Sequence, residues 1–567
     1  MEFQEEDQEP DAWNLSICAG VCFGLMANCA KDQVIKPKLL QFFREHFSGK
    51  QTSWRRQEAC FIAFGALQEG VSSEALKGMI QKVTPILLQA LKNEAIKPLV
   101  RDSAAWALSR ICQFHFEVIP NQLLRAALKV AAEFLCTKAP PRVAVHGCTF
   151  FFYFASGCQA VYGDTKENPL GKQEIFTRII HVLLETTKRP DWNQSGLRMA
   201  AFESMNIVIE KAPNSVAFLL PNKLWPLFVQ TLNTTFTSGG DNVAKETLQT
   251  LLCASLNQTM RAIEKVLQTK SPETVNAVIT EDMADRTMNC LLKVLTTPES
   301  VAHEEAFMAI VAIADIIGHR FIRYMNKLIS PLTRSLANVA AANLSMQAAQ
   351  TVSALCPALG VKAMNTIIPV GGKRMSYAQV FAEQLIRNLN ALSSSVAIPT
   401  PLRNSTIAAL GDLTSVMEAN FVRYLPQAFK FVYDAGKITL EILDTDDEDV
   451  EDATADLEEE MLTFYSAVMQ NVQNGKDQLT NYMPQIGTYF MLLSKRGDLC
   501  PNTIRVLVTA LGDYADVFQQ RSKSLFVDAN GFRPEFVQIF RRTDAFNTDE
   551  EMQSYRYAKN MIKAMIK

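Results

Sequence analysis

Apolar residues recur along the chain at helical spacing. In the segment 401–421, for example, apolar side chains follow one another every three or four residues at Ile407, Leu410, Leu413 and Met417. Such side chains lie on one face of an α-helix, and Ala or Gly beside them lets a second helix approach closely. Runs of this kind, broken by Pro or Gly, fill the chain, and none alternates convincingly as a strand would. The pattern predicts an all-α protein.

One kind of helix returns at regular intervals. It begins with an Arg, continues with small residues and ends with large apolar ones. The marker arginines Arg56, Arg101, Arg142 and Arg198 are 45, 41 and 56 residues apart, and weaker copies of the helix continue to the C-terminus. A period of about 40–47 residues, where no insertion intervenes, is typical of HEAT or armadillo repeats rather than of the shorter TPR and ankyrin repeats.

Two-helix repeats of this size cannot bury their apolar faces alone, so neighbouring repeats must stack. We therefore expect about eleven or twelve antiparallel hairpins in an armadillo-like HEAT-repeat solenoid. The solenoid is predicted to be a right-handed superhelix, with one set of helices outside and the other lining a concave surface. Residues 14–567 are predicted to form it without interruption, after an acidic tail at 1–13.

Composition places the chain among folded proteins of a reducing compartment. Of its 567 residues 48% are hydrophobic, which is enough for a large core. The twelve cysteines lie mostly in apolar runs and form no Cys-x-x-Cys pair, so we interpret them as reduced core thiols of a cytosolic or nuclear protein. The start, MEFQEEDQEP, has neither a signal peptide nor a transit peptide pattern.

One segment has about the length of a membrane span. Residues 143–163 contain no Lys, Arg, Asp or Glu, but Arg142 and Asp164 border them and polar residues interrupt them. The surrounding pattern is that of the other repeats. We therefore interpret this segment as a buried solenoid helix and expect no membrane insertion.

No motif in the chain carries catalytic chemistry. The six histidines are scattered without metal-ligand spacing, and neither a phosphate-binding loop nor a Gly-x-Ser-x-Gly elbow occurs. Gly371, Gly372, Lys373 and Arg374 form a basic turn at a helix boundary rather than a phosphate loop. We expect no enzyme activity, no cofactor, no metal and no direct contact with nucleic acid.

The net charge of −3 hides two local concentrations of acid. One lies before Trp13, and the other, at 444–460, contains eleven acidic residues and no basic one. The second is either a solvated helix start and loop, the usual meaning of such a run, or part of the concave wall. In the latter case Asp446, Asp447, Glu448 and Asp449 are candidate contacts for a basic ligand, and binding should depend steeply on salt.

Several strings go beyond a general HEAT pattern. The most specific are Arg-Asp-x-Ala-Ala-Trp-x-x-x-Arg-Ile, at 101–111, and Ala-Phe-Gly-x-x-x-Glu-Gly, at 63–70. Others are DAWNLSICAGVCFGLMA at 11–27, LLETTKRPD at 183–191 and LQTLLCASLNQTMRAI at 248–263. In this order and at this spacing the strings resemble the C-terminal two-thirds of an importin-β (karyopherin-β) nuclear transport receptor. The resemblance is strong over residues 5–260 and weaker, but collinear, to the end.

The resemblance implies a receptor that carries cargo through the nuclear pore without catalysis. In the family, the inner surface of this arch wraps the basic importin-β-binding helix of importin-α or a basic localisation signal, and the GTP form of Ran releases the cargo. Phe-Gly nucleoporins bind in apolar slots between outer helices. We would accordingly expect the protein in the cytoplasm, in the nucleus and at the nuclear pore.

The resemblance also suggests site residues. Trp106, with Asp102 of the same string, falls where the family places an inner-surface Trp against the basic helix; burial in the core is the alternative for this Trp. Two further Trp positions of the family are occupied here by Thr149 and Tyr557. The family's acidic loop, a contact of Ran and of the adaptor, corresponds to a more dilute acidic segment here, made of Glu5, Glu6, Asp7, Glu9, Asp11 and Trp13.

The family's N-terminal arch, which supplies its main contact with Ran, has no counterpart in this sequence. We expect the sequence to be part of a longer chain, and a shortened paralogue with a different release mechanism is the alternative. A HEAT scaffold for multiprotein assembly, without nuclear transit, is the competing function. The two specific strings and the acids before Trp13 favour the receptor, because a general scaffold has no reason to contain them.

Overall fold

The structure is a computed structural model. It describes residues 15–35, 37–47, 53–136, 139–237, 239, 241–268, 270–298, 300–392, 401–441, 448–472, 476–529 and 531–566. The chain divides into two compact units, which are the described residues of 1–240 with 251–274 and those of 241–250 with 275–567.

The first unit consists of helices. They are α1 (Leu15–Ala30), α2 (Pro37–His46), α3 (Trp54–Leu67), α4 (Ser73–Lys92), α5 (Pro98–Phe114), α6 (Asn121–Cys136), α7 (Pro141–Tyr162), α8 (Gln173–Thr186), α9 (Leu197–Glu210) and α10 (Trp225–Thr235). Around the division of the chain lie α11 (Asn242–Leu267) and α12 (Pro272–Val278).

The second unit adds two small hairpins of strands to its helices. Its elements are α13 (Glu281–Thr296), α14 (His303–Ile317), α15 (Ile322–Ala337), α16 (Ala342–Met364), β1 (Ile367–Val370), β2 (Lys373–Ser376), α17 (Tyr377–Leu392), α18 (Pro401–Met417), α19 (Leu425–Glu441), α20 (Glu448–Asn471), α21 (Lys476–Leu479), α22 (Met483–Ser494), α23 (Pro501–Phe518), α24 (Lys523–Phe526), β3 (Val527–Asp528), β4 (Gly531–Phe532), α25 (Pro534–Arg541) and α26 (Asp549–Ile566).

Local sequence explains where many helices begin. Pro98 and Pro141 occupy the first turns of α5 and α7, where the missing N–H costs nothing and the fixed φ favours the helix. The hydroxyl of Ser72 accepts a hydrogen bond from the backbone N–H of Ala75 and caps α4. At its other end α7 stops at Gly163, whose φ of 53° suits glycine.

Each unit has two layers of helices. In the first unit α4, α6 and α8 pack side by side, while α1, α3, α5, α7 and α9 form a second layer, and each first-layer helix packs against the helix that follows it. In the second unit α13, α15, α17, α19, α22 and α25 make the corresponding first layer, and the second layer is α14, α16, α18, α20, α23 and α26. Within each unit this is the predicted arrangement of stacked hairpins.

Large apolar side chains fill the space between the layers. In the first unit Phe43, Phe47, Phe61 and Phe64 are buried and contact one another, with ring centroids 5.1–5.9 Å apart. Burial of such rings is the main force that holds the two helices of a hairpin together. The predicted helical core is confirmed, whereas a single uninterrupted solenoid over 14–567 stays a prediction.

Several expectations can be compared with these elements. The segment 143–163 lies almost wholly in α7, and no helix within the described ranges combines the length and apolarity of a membrane span. The basic turn at Gly371 and Gly372 joins β1 to β2, so a short strand pair exists where the sequence showed no convincing strand.

The prediction of core thiols holds for only part of the cysteines. Seven cysteines are buried, namely Cys60, Cys112, Cys148, Cys158, Cys253, Cys290 and Cys356. Burial raises the pKa values of Cys60 and Cys148 to about 12, which keeps these thiols protonated and unreactive. Cys22 and Cys29, however, are exposed on α1 and do not belong to the core. Local apolarity could not reveal this, because α1 is apolar on most of its faces.

Candidate functional site

A groove of about 490 Å³ opens on the second helix layer of the first unit. Four successive helices of that layer, α1, α3, α5 and α7, contribute its lining, which we call the Trp106 groove. Because α3 packs between α1 and α5, it forms the floor, and the other helices form the walls. The stacking of equivalent helices therefore creates the groove, and four different repeats supply its side chains.

Trp106 is half-buried and lines this groove. Its ring lies directly on α3 at Gly65, where an added Cβ would be 2.3 Å from Cζ3 of the ring. The guanidinium carbon of Arg110 is 5.8 Å from the centre of the Trp106 ring and 4.4 Å from that of Phe114. Arg110 also forms an ion pair of 2.7 Å with Glu69. The ring is thus held from two sides and keeps part of its surface accessible.

Asp102 lies one turn before Trp106 and is only 8% exposed. Its Oδ2 is 3.1 Å from Nη2 of Arg142, and its Oδ1 is 3.5 Å from Nε2 of His146. Oδ1 has no hydrogen-bond partner among the described residues. Oδ1 therefore keeps an acceptor position that these two side chains do not fill, and Asp102 can accept a hydrogen bond from a donor that enters the groove.

His146 contributes a neutral ring at pH 7. Burial lowers its pKa, and Arg142 acts in the same direction, while Asp102 opposes the change. Desolvation favours the uncharged form of an imidazole. The positive charge that faces Asp102 within the groove is therefore mainly that of Arg142.

Thr149 does not present a ring to the groove. Its hydroxyl donates a hydrogen bond of 3.0 Å to the carbonyl of Val145 on the same helix. The following Phe150 and Phe151 are buried in the core. At this point of α7, therefore, the position that carries a Trp in the resembled family offers only a short, internally bonded side chain.

A separate group of acids lies on the second layer of the second unit. Asp412 of α18 accepts a hydrogen bond from Ser353, and α20 brings Glu460 towards it, with Asp456 and Glu459 beside Glu460 on α20. Burial raises the pKa of Glu460 to about 7, and the neighbouring carboxylates, first Asp412, contribute further. We call Asp412, Asp456, Glu459 and Glu460 the α18–α20 acid cluster. Like charges at short range resist ionisation, so these acids would gain from a cation nearby.

Asp513 and Tyr557 form another polar contact in the same layer. Asp513 of α23 is buried and accepts hydrogen bonds from Ser466 and, at 2.9 Å, from Gln470. The hydroxyl of Tyr557, on α26, is 3.5 Å from Oδ1 of Asp513, and the residue is 40% exposed. Tyr557 therefore offers part of its ring to a ligand while its hydroxyl remains close to a carboxylate.

Two of the predicted site residues lie together in the structure, and the others lie elsewhere or outside the described residues. Trp106 and Asp102 line one groove, whereas Tyr557 lies in the other unit. Asp449 is exposed near the start of α20, and the side chain of Glu448 lies outside the described residues, as do Asp446 and Asp447. The same is true of the acidic segment Glu5, Glu6, Asp7, Glu9, Asp11 and Trp13.

Sequence reasoning missed Glu460 and its neighbours. In the sequence the acids at 444–460 form one run, but in the folded chain those of α20 lie on different faces of the helix. Glu458 points to the first layer and forms an ion pair of 2.5 Å with Arg496, while Glu460 lies beside Asp412. The signal available was the spacing of 48 residues between Asp412 and Glu460, about one repeat.

Comparison with known proteins gives a consistent picture. The sequence model described as importin subunit beta-1-like, TPR repeats, matches residues 130–533, and a HEAT-like repeat model matches residues 54–111. Importin subunit beta-1 of Arabidopsis thaliana is 27% identical over 525 residues, which are 90% of this chain and 56% of that protein. Its counterpart in Schizosaccharomyces pombe is 23% identical over 531 residues, 91% of this chain and 56% of the relative. The chain thus spans about half the length of these curated relatives.

Solved structures show the same fold. A crystal structure of importin beta in an ammonium sulfate condition superimposes with a TM-score of 0.81 at 22% identity, over 99% of this chain and 61% of that one. Yeast Kap95 in complex with Nup1 gives 0.73 at 19% identity, over 99% and 61%. A structure of Kap95p bound to RanGDP gives 0.66 at 20% identity, over 99% and 62%. At these identities the likeness concerns the fold, and it confirms the predicted HEAT-repeat architecture.

Proposed function

The chain belongs to the importin-β family, and from this premise we propose that it is a nuclear transport receptor whose Trp106 groove binds a basic segment of importin-α or of a cargo. The observation that carries the proposal is the pairing of Trp106 with Asp102 in one groove. A half-buried aromatic face and a buried carboxylate oxygen without a hydrogen-bond partner lie one helical turn apart. Together they suit an arginine or lysine side chain.

The two groups act on different parts of such a side chain. The face of Trp106 attracts the cation and its aliphatic stem, a contact of about 0.5–2 kcal/mol depending on desolvation. Oδ1 of Asp102 accepts a charge-assisted hydrogen bond, which is stronger than one between neutral groups. Glu58 and Glu69 also line the groove, so its acids outnumber Arg110 and Arg142 and favour a partner that brings donors.

In the second unit, the α18–α20 acid cluster and Tyr557 offer a further surface for basic residues. Exposed ion pairs are worth only about 0–1 kcal/mol each, so tight binding would need several of them. A bound cation would favour the ionised form of Glu460, whose pKa is raised to about 7 in the free chain. Proton release on binding near neutral pH would be the signature of this contact.

Contacts with Ran and with nucleoporins are part of the same proposal. They are supported by two structures of similar fold, Kap95p with RanGDP and Kap95 with Nup1. We propose that the GTP form of Ran releases the cargo and that the protein moves between cytoplasm and nucleus through the pore. The contact with Ran or the adaptor would include the acidic segment, made of Glu5, Glu6, Asp7, Glu9, Asp11 and Trp13. The relatives are transport receptors, and we propose that this chain has no enzyme activity.

A direct binding experiment tests the proposal. A fluorescent peptide of the importin-β-binding segment of importin-α should bind the chain, and Trp106→Ala should weaken the binding by at least several-fold. Trp54→Ala is a matched control, because Trp54 is half-buried in the same layer and does not line the groove. Excess Ran-GTP should displace the peptide. If the unaltered chain does not bind the peptide, the competing HEAT scaffold becomes the better explanation.

A further inference from the structure

The wall of the Trp106 groove opposite Trp106 is apolar. It is formed by α1, where Val21 and Leu25 stand one turn apart and are 45% and 60% exposed. Ile62 and Ala66 of α3 continue this surface along the floor. Asp102, Arg110 and Arg142 belong to the other walls, and Glu58 of α3 and Glu69 just after it line the floor. The groove therefore has one apolar side and one polar side.

Glycines on α1 keep the apolar side close to the floor. A Cβ on Gly20 would lie 2.9 Å from Cγ2 of Ile62, and one on Gly24 would lie 3.5 Å from the carbonyl oxygen of Ala66. The absence of these side chains lets α1 pack tightly on α3. Val21 and Leu25 each directly follow one of these glycines and are thus set at the rim of the groove without filling it.

On the premise of the function proposed above, we propose that the Trp106 groove recognises two side chains of its basic ligand, a cation at Asp102 and an apolar side chain at Val21 and Leu25. The occupant is a basic segment that also carries a leucine-like residue. The polarity of each groove wall determines which ligand side chain binds there. Asp102 provides a buried acceptor, and the exposed α1 wall gains only from apolar burial.

The position of Thr149 is consistent with this assignment. On α7 the hydroxyl of Thr149 is satisfied by Val145, so this helix adds no large apolar surface beside Arg142 and His146. Of the groove-lining residues on α1 and α7, the large apolar ones, Val21 and Leu25, belong to α1, whereas α7 contributes Arg142 and His146. The first helix of the layer, rather than α7, becomes the determinant of apolar specificity.

The width of the groove sets the spacing of the two ligand residues. Axes of packed helices are about 8–10 Å apart, so α1 and α5, with α3 between them, are about 16–20 Å apart. Side chains reach inward from both walls, which leaves about 10 Å between the two ligand groups. This distance corresponds to about two turns of helix or about three residues of extended chain.

Coupling between variants of the chain and of the peptide tests the inference. The probe is the importin-β-binding segment of importin-α, in one series with each Lys or Arg replaced by Gln and in another with each apolar residue replaced by Ser. Leu25→Ser should weaken the parent peptide about three- to tenfold through lost apolar burial. In the Leu25→Ser variant, replacing one particular apolar residue of the peptide should no longer weaken binding. In Asp102→Asn, the replacement that no longer weakens binding should be that of a Lys or Arg at a different peptide position.

A neighbouring residue provides the control. Met26 is 63% exposed on α1 but does not line the groove, so Met26→Ser should leave the affinity unchanged. The inference is overturned if Leu25→Ser binds the parent peptide as tightly as the unaltered chain, or if it couples to the same peptide position as Asp102→Asn. Absence of any peptide binding, or indifference to Trp106→Ala, would instead contradict the proposed function.

Discussion

Replacing Gly65 by Ala changes the floor beneath Trp106 without touching the ligand surface directly. The added Cβ would lie 2.3 Å from Cζ3 and 2.6 Å from Cε3 of the ring. Nonbonded carbons pack at about 3.5–4.0 Å, so the ring must move by about 1 Å towards the groove. Overpacking of this kind costs about 1–3 kcal/mol, and the better helix propensity of Ala returns up to about 1 kcal/mol. We expect a net loss of about 0–3 kcal/mol in folding stability and several-fold weaker binding of the importin-α peptide.

A Gly78→Ala variant separates the cost of overpacking from the gain in helix propensity. Gly78 is exposed inside α4, and a Cβ there would meet nothing within 4 Å. It should gain up to about 1 kcal/mol from helix propensity alone and leave peptide binding unchanged. Urea unfolding followed by tryptophan fluorescence, with peptide titrations on the same samples, measures both variants. If Gly65→Ala is as stable as Gly78→Ala and binds the peptide normally, the close contact of Trp106 with α3 is not what positions the ring.

Three further results are expected. Arg496→Ala should destabilise the chain by about 1–3 kcal/mol in urea unfolding at pH 8, because it removes the ion-pair partner of Glu458, whose side chain is 2% exposed. Burial raises the pKa of Glu458 to about 7, so the loss should be smaller at pH 5, where the carboxyl is protonated; an unchanged urea midpoint at pH 8 would contradict the buried pair. Glu460→Gln should be more stable than the unaltered chain at pH 8 and equally stable at pH 4.5. The pKa of Glu460 is about 7 in the folded chain and near 4.5 in the unfolded chain, so the unaltered protein loses folding free energy as the pH rises from 4.5 through 7, whereas the Gln variant does not. Identical pH profiles of the urea midpoint for the two proteins would refute this. Affinity for the importin-α peptide should fall steeply with ionic strength, and a flat response would contradict an electrostatic contribution.

The helical class and the repeat could be predicted because each depends on local sequence, whereas Trp106 is suggested as a binding residue by the family resemblance, and that role stays a prediction. Apolar spacing reports one helix face at a time, and the string around Trp106 is contiguous. The hydroxyl of Thr149 also behaves as a short polar side chain within a helix often does, bonding to its own backbone. These features need no knowledge of the neighbouring repeats.

The rest of the site depends on contacts between repeats. Val21 and Leu25 belong to an apolar helix that looks like any core helix, and only the position of α1 on α3 shows that they face a groove. Oδ1 of Asp102 lacks a hydrogen-bond partner because Arg142 and His146, from the next repeat, approach from particular directions. Distances of this kind are set by packing, so sequence spacing alone could not supply them.

The central claim is that a basic segment is held in the Trp106 groove, and a structure of the chain bound to the importin-β-binding peptide of importin-α tests it most directly. The account predicts a Lys or Arg of the peptide within about 6 Å of the centre of the Trp106 ring, with its donor hydrogen-bonded to Oδ1 of Asp102. A peptide bound elsewhere on the chain while this groove stays empty would contradict the account.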